Sequence, residues 1–267
     1  MKKQPPHKYY SSIAADISMG LLPLNPNSAH IDIDLTAMVS CFNEAEYIHK
    51  TLSDIFYALR QTGLKFEIIV IDDMSSDNSV KIIKHFIDQN PEVILILREN
   101  SFNNGLAQNY IDGAFLGRGK YYKLFCGDNS EPPDSIIKIC SLIGQADIII
   151  PNYVNNIGKS KIRKGLSNSF THLINLVSGN RLKYYNGLPV QLRYSIMRWH
   201  PNTRGFGFQA DITCMLLSQG MSYIEVSVPS VDQKPSGALT WKNFLSVGHT
   251  VFDILVRRFA NLVYTKH

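Results

Sequence analysis

The sequence lacks the signatures of several large enzyme classes. No Gly-x-Gly-x-x-Gly opens a helix after the first apolar strand, and no Gly-Lys-Ser/Thr phosphate loop is present, which argues against dinucleotide oxidoreductases and P-loop NTPases. Gly-x-Ser-x-Gly is missing too, and the 8 histidines stand apart, so neither a hydrolase triad nor a zinc site is indicated. The four cysteines (Cys41, Cys126, Cys140 and Cys214) form no Cys-x-x-Cys pair, and reduced thiols are expected. No stretch reaches the roughly 18 apolar residues of a spanning helix. Lys2 and Lys3 have no apolar run behind them, so no secretory signal is expected. These absences point to a cytoplasmic protein, in solution or peripheral on the inner face of a membrane.

One absence is local. Residues 148–210 hold nine Lys/Arg and no acid, whereas residues 36–147 hold ten Lys/Arg against fifteen Asp/Glu. A basic stretch of this kind suits an anion: phosphate, a lipid headgroup or nucleic acid. Aromatic residues are not interleaved on a recognisable stacking platform, so no nucleic-acid partner is expected.

What is present is a regular alternation. Residues 1–33, with Pro5, Pro6, Pro23 and Pro26, read as a flexible arm. From Leu35, short apolar runs alternate with helical spacing. Strands are predicted at Leu35–Cys41, Phe66–Ile71, Val93–Leu97, Tyr121–Phe125, Ala146–Ile150, Arg193–Trp199 and Tyr223–Val228. Helices are predicted at Glu46–Gln61, Ser79–Gln89, Leu106–Leu116, Asp134–Ile143, Gly165–Val177 and Gln209–Ser218, with a loop at Asp232–Gly237. The fold class is α/β: a mainly parallel twisted sheet flanked by helices. It occupies residues 34–240. Residues 241–267 form a further unit, an amphipathic helix over Trp241–Val263.

In such sheets ligands bind beyond the carboxyl ends of the strands. Polar residues gather there: Phe42-Asn43-Glu44 after the first strand, Asp72 to Asp77 after the second, and Gly127-Asp128-Asn129-Ser130 after the fourth. Asp73 suits a ribose hydroxyl or a base N–H, with a helix-capping or turn role open to its neighbours Asp77 and Asp72. Asp128 suits Mg²⁺ or Mn²⁺, which take one or two carboxylates plus phosphate oxygens; a plain turn aspartate is the alternative. Asp211, at a helix start, is either a general base or a partner of the helix dipole. Arg163, Lys164 and Lys234 are candidate diphosphate or acceptor contacts.

In this order and at these spacings the motifs resemble the family 2 glycosyltransferases of the GT-A fold, and among them the dolichol-phosphate mannosyltransferase-like group. The resemblance covers about residues 36 to 240. It rests on Val39-Ser40-Cys41-Phe42-Asn43-Glu44, on Ile71 to Ser79, on Asn104-Gly105-Leu106-Ala107, on Gly127 to Pro133, on Arg163-Lys164 with Ser167, on Gly205 to Phe208 and on Lys234 to Gly237. It implies inverting transfer of a sugar from a GDP- or UDP-sugar, with Mg²⁺ or Mn²⁺, to a lipid phosphate such as a polyprenyl phosphate or to a glycan. It implies that Phe42, Glu44 and Asp73 hold the nucleoside and Asp128 the metal. Arg163, Gln209, Asp211 and Lys234 would line the diphosphate and acceptor side. The sequence departs from the family at Cys126, where the first carboxylate of Asp-x-Asp is expected, and at Lys234, where an arginine is. The Cys126 departure supports a second expectation, a catalytically weakened nucleotide-binding subunit of a larger transferase complex.

Overall fold

A computed structural model describes residues 32–157, 161–199, 207–231 and 241–264. The strands are β1 (Leu35–Cys41), β2 (Phe66–Asp72), β3 (Leu95–Glu99), β4 (Tyr121–Cys126), β5 (Ile148–Ile157), β6 (Val190–Leu192) and β7 (Tyr223–Val231). The helices are α1 (Ile48–Thr62), α2 (Ser79–Gln89), α3 (Leu106–Leu116), α4 (Pro133–Cys140), α5 (Lys161–Ser178), α6 (Arg193–Met197), α7 (Phe208–Ser218) and α8 (Trp241–Tyr264). Each apolar run that read as a strand lies in one sheet, save one. Arg193–Trp199 was expected to be a strand; it is instead the short helix α6 and its exit, and the strand is the three residues before it. Ile196 and Trp199, three apart, are both buried, and the Trp199 N–H donates to the Ile196 carbonyl at 3.0 Å; in a strand the two would face opposite sides.

The strand order is β3-β2-β1-β4-β6-β5-β7. β1 pairs in parallel with β2 and β4, β2 with β3, and β5 with β7; β6 alone runs against its neighbours β4 and β5. The chain moves outward from β1 to β3, then returns to the other side of β1 to lay down β4. The connections therefore diverge between β1 and β4, and their carboxyl ends open a crevice.

Alternate residues of β1 face opposite layers. Leu35, Ala37, Val39 and Cys41 join Ile48, Leu52, Ile55 and Leu59 of α1 and Ile136 and Ile139 of α4 in the main core. The i, i+4, i+7, i+11 spacing in α1 puts these four apolar side chains on one face, and Gly63, at φ 72°, ends the helix in the left-handed conformation. On the other layer Tyr122 stacks on Tyr110 of α3 with ring centroids 5.0 Å apart, and donates to the Tyr110 carbonyl at 2.7 Å. Ile33–His267 form one compact unit, and α8 closes against α5 and α7.

The amino-terminal end of the sheet is held by a buried polar cluster. Glu67 accepts from Thr36 Oγ1 at 2.7 Å and from Arg118 Nε at 2.9 Å, and Thr36 Oγ1 accepts from the Gly119 N–H at 2.9 Å. All four cysteines are free. Among the described residues no helix is long and apolar enough to cross a membrane.

Candidate active site

Register places the three expected loops on one rim. Cys41 is level with Asp72, and Ser40 with Cys126, so Phe42, Asp73 and Gly127 all leave the sheet at its carboxyl edge. The loops are then tied to one another. The Asp73 N–H donates to the Cys41 carbonyl at 2.8 Å, and the Gly127 N–H to the Ser40 carbonyl at 2.9 Å. Asn43 N–H donates to Ser75 Oγ at 2.8 Å, Glu44 N–H to Ser79 Oγ at 2.9 Å and Ala45 N–H to Asp77 Oδ2 at 3.0 Å. The Asn43 side chain answers by accepting from the Ser76 N–H at 2.9 Å.

Each loop contains one non-glycine residue in the left-handed region: Asn43 at φ 55°, Met74 at φ 69° and Asn129 at φ 56°. No other described non-glycine residue has positive φ. Such conformations cost on the order of 1–3 kcal/mol and persist where the surroundings enforce them, which is typical of ligand sites. Asparagine tolerates the region, so Asn43 and Asn129 were readable signals; Met74 was not. Gly127 is required for a different reason. A Cβ there would lie 2.8 Å from the Ser40 carbonyl oxygen and 3.0 Å from Glu44 Cγ, so only glycine lets the Asp128 loop lie against the Glu44 loop.

The candidate residues differ in how free they are. Phe42 is exposed on the rim. Glu44 starts α1, its carbonyl accepting from the Tyr47 and Ile48 N–H groups. Asp73 is only 4% exposed. Its Oδ1 accepts from Asn100 Nδ2 at 2.9 Å and from the Asn104 N–H at 2.8 Å, and its Oδ2 from the Gly105 N–H at 2.9 Å. Asp73 thus organises the Asn100–Gly105 loop, and any ligand contact uses lone pairs left over. Asn100 and Asn104 were not among the expected site residues, although the asparagine-rich run Asn100 to Asn104 marks the loop.

Asp128 is half-buried, with Oδ1 accepting from the Ser130 N–H at 3.2 Å. Among the described residues no group of three His, Cys, Asp or Glu is placed to hold a metal ion. Asp128 alone fits the mode in which one carboxylate and the diphosphate oxygens share a hard cation. Cys126, beside it, stays a neutral thiol: burial pushes its pKa far up, and the charges of Asp128 and Glu131 add to this, with a smaller push from Glu44.

Beneath the Asp128 loop lies a closed ring of buried polar groups. Lys123 of β4 has no exposed surface, and its Nζ lies 3.0 Å from both carboxylate oxygens of Glu131. Tyr153 of β5 donates to Glu131, Lys123 also donates to the Leu188 carbonyl at 2.8 Å, and the Leu188 N–H reaches Tyr153 Oη at 3.4 Å. The Ser130 carbonyl accepts from the Val231 N–H at 3.0 Å. The loop is therefore pinned to β4, β5 and β7.

Gln209 and Asp211 sit on α7, and the bonds of Asp211 lead away from the three loops. Asp211 Oδ2 accepts from Trp199 Nε1 at 2.7 Å, and Oδ1 accepts from Arg257 of α8 at 2.8 Å. It also lies in the first turn of α7, where a carboxylate complements the helix dipole. Gln209 is buried beside the Tyr110 hydroxyl without hydrogen-bond geometry, so both ends of its amide lack a partner. Arg163 falls in α5 with its side chain outside the described residues, and Lys234 and the Asp232–Gly237 loop lie outside them altogether.

Comparison with known proteins agrees with this architecture. Residues 36–203 match the glycosyl transferase family 2 model. The glycosyltransferase GlyG of Streptococcus pneumoniae is 29% identical over 123 residues, 45% of this chain and 39% of that one, so the match spans less than half of that relative's length. The mannosyltransferase PcManGT from Pyrobaculum calidifontis, solved with GDP-Man and Mn²⁺, superposes with a TM-score of 0.61 at 15% identity, over 96% of this chain and 78% of that one. Glucosyl-3-phosphoglycerate synthase from Mycobacterium tuberculosis, solved with Mn²⁺, UDP and glucosyl-3-phosphoglycerate, gives 0.61 at 12% identity, over 97% and 86%. These superpositions share the nucleotide-sugar transferase fold of the GT-A type, and the family match covers more than half of the sequence. The chain belongs to glycosyl transferase family 2.

Proposed function

We propose that the protein is an inverting glycosyltransferase that takes a sugar from a GDP- or UDP-sugar and delivers it to an anionic acceptor, a polyprenyl phosphate before a glycan hydroxyl. The convergence of the Glu44, Asp73 and Asp128 loops on the β1/β4 crevice carries this reading. Phe42 offers an aromatic edge to the nucleoside, Asp73 fixes the loop that borders it, and Asp128 would hold Mg²⁺ or Mn²⁺. The cation would offset the charge that grows on the departing nucleoside diphosphate. An acceptor oxygen attacks the anomeric carbon from the face opposite the leaving group, which inverts that centre.

Asp211 bears on the choice of acceptor. Both of its oxygens are already occupied by Trp199 and Arg257. A hydroxyl nucleophile needs a base turned toward it, and these bonds turn Asp211 toward Trp199 and Arg257 instead. A phosphate oxygen is already ionised and needs none. The basic stretch over residues 148–210 suits the same acceptor.

Nucleotide release from GDP-mannose, GDP-glucose, UDP-glucose and UDP-GlcNAc, with polyprenyl phosphate and Mn²⁺, tests the reading. Release with one donor, lost on Asp128→Ala and on EDTA addition, is the expected result. No release with any of them refutes it. Cys126 favours the second reading, a weakened nucleotide-binding subunit, because a neutral thiol stands where the family places a carboxylate. Calorimetry separates the two: that reading requires nucleotide affinity indifferent to Mn²⁺ and EDTA.

A further inference from the structure

The side of the molecule formed by α5 and α8 is apolar where it meets solvent. On α5, Leu166, Leu173 and Leu176 are exposed, the last by 75%. Their spacing puts them on one stripe, while Ser167, Thr171, Ile174 and Val177 turn inward. On α8, Phe252, Val256, Phe259 and Val263 follow i, i+4, i+7, i+11 and are exposed, Phe259 by 70%, while Thr250 and Ile254 turn inward. The two stripes are neighbours, because Arg258 of α8 donates to the Leu176 and Val177 carbonyls at 3.0 and 2.9 Å. A contiguous exposed apolar surface of this kind marks a docking site.

Charge selects the occupant. α5 has no acidic residue in its 18 positions, and Lys164 near its start is exposed. The one acid of α8, Asp253, is engaged by His249 at 3.1 Å. Arg181, just past α5, is exposed. A second copy docked through a two-fold axis would bring the same acid-poor face and no partner for these cations. A bilayer with anionic headgroups offers hydrocarbon to the leucine and phenylalanine stripes and negative charge to the cations at the two ends of α5.

We infer that the α5–α8 face is a docking surface for an anionic lipid bilayer, on which the protein lies peripherally. This inference stands apart from the transferase reading, since it is measured without turnover. The test is co-sedimentation of the full chain with vesicles of phosphatidylcholine alone and with phosphatidylglycerol added, at low and high salt. The inference expects binding to the anionic vesicles that weakens with salt, little binding to the neutral ones, and a loss on the order of tenfold or more in Phe259→Glu and in Leu176→Glu. Both variants keep the wild-type melting temperature, because the replaced side chains are exposed. Absence of binding to anionic vesicles, or binding unchanged in both variants, overturns it. So does a wild-type dimer in light scattering that Phe259→Glu converts to a monomer, which gives the face to a second copy.

Discussion

Lys123→Met is the sharpest perturbation of the site's foundations. The side chain length is kept, but Glu131 loses its cation while staying 5% exposed in the protein interior. Removing one member of a buried ion pair costs about 3–5 kcal/mol, because the other charge is left uncompensated. For a unit of this size about 2–4 °C accompanies each kcal/mol, so a fall in melting temperature of roughly 6–20 °C is expected. The double variant Lys123→Met with Glu131→Gln removes both charges. Its glutamine carbonyl still accepts from the Tyr153 hydroxyl, so it should recover most of the loss, to within about 2 kcal/mol of wild type. Differential scanning calorimetry and urea unfolding of the three proteins read this directly. A single variant as stable as wild type, or a double variant less stable than the single one, refutes the claim that the ring of Lys123, Glu131 and Tyr153 holds the Asp128 loop.

Other outcomes follow from the same geometry. Gly127→Ala drives a methyl group onto the Ser40 carbonyl and Glu44, and should lower both stability, by about 1–3 kcal/mol, and nucleotide affinity by calorimetry. Met74→Gly relieves a left-handed backbone at an exposed position and should stabilise the protein by about 1 kcal/mol in urea unfolding. For Asp77, burial works against the charge, yet the Ser79 hydroxyl, the Ser79 N–H and the Ala45 N–H outweigh it and hold its carboxyl below the usual 3.8. Its contribution is complete above that value and is lost as pH falls through the lower folded value; Asp77→Asn should therefore flatten the stability–pH curve below about pH 4. Burial pushes the Cys41 thiol up to about 12 and the Cys214 thiol to about 11, so neither should react with iodoacetamide at pH 8 until the protein unfolds.

Periodicity located most of the fold because its signals are local. β1, α2 and α3 have the bounds that apolar spacing gives them; α2 lies between Asn78 and Asn90, and α3 between Gly105 and Gly117. β3 lies two residues later than expected, as Val93 and Ile94 are apolar yet precede the ladder with β2. β6 was invisible: three residues are too few for a pattern, and its pairing with β4 and β5 is a long-range event. The same divide runs through the site. That three polar loops share a rim follows from parallel strands and was legible. That Asp73 is enclosed by Asn100, Asn104 and Gly105, or that Asp211 meets Trp199 and Arg257, depends on chain segments far apart in sequence. Lys123 illustrates the limit well, for a lysine amid Tyr122 and Leu124 reads as an exposed edge until the buried Glu131 is seen beneath it.

The Glu67, Thr36 and Arg118 cluster lies at the pole of the sheet opposite the ligand rim. Sheet anchoring and the candidate site thus occupy different ends of the same strands. Loops beyond Cys41 and Asp72 can vary while that anchor is left untouched, but the loop beyond Cys126 has a buried anchor of its own in Glu131. Grafts at this rim should accordingly fold only where Glu131 is retained to meet Lys123.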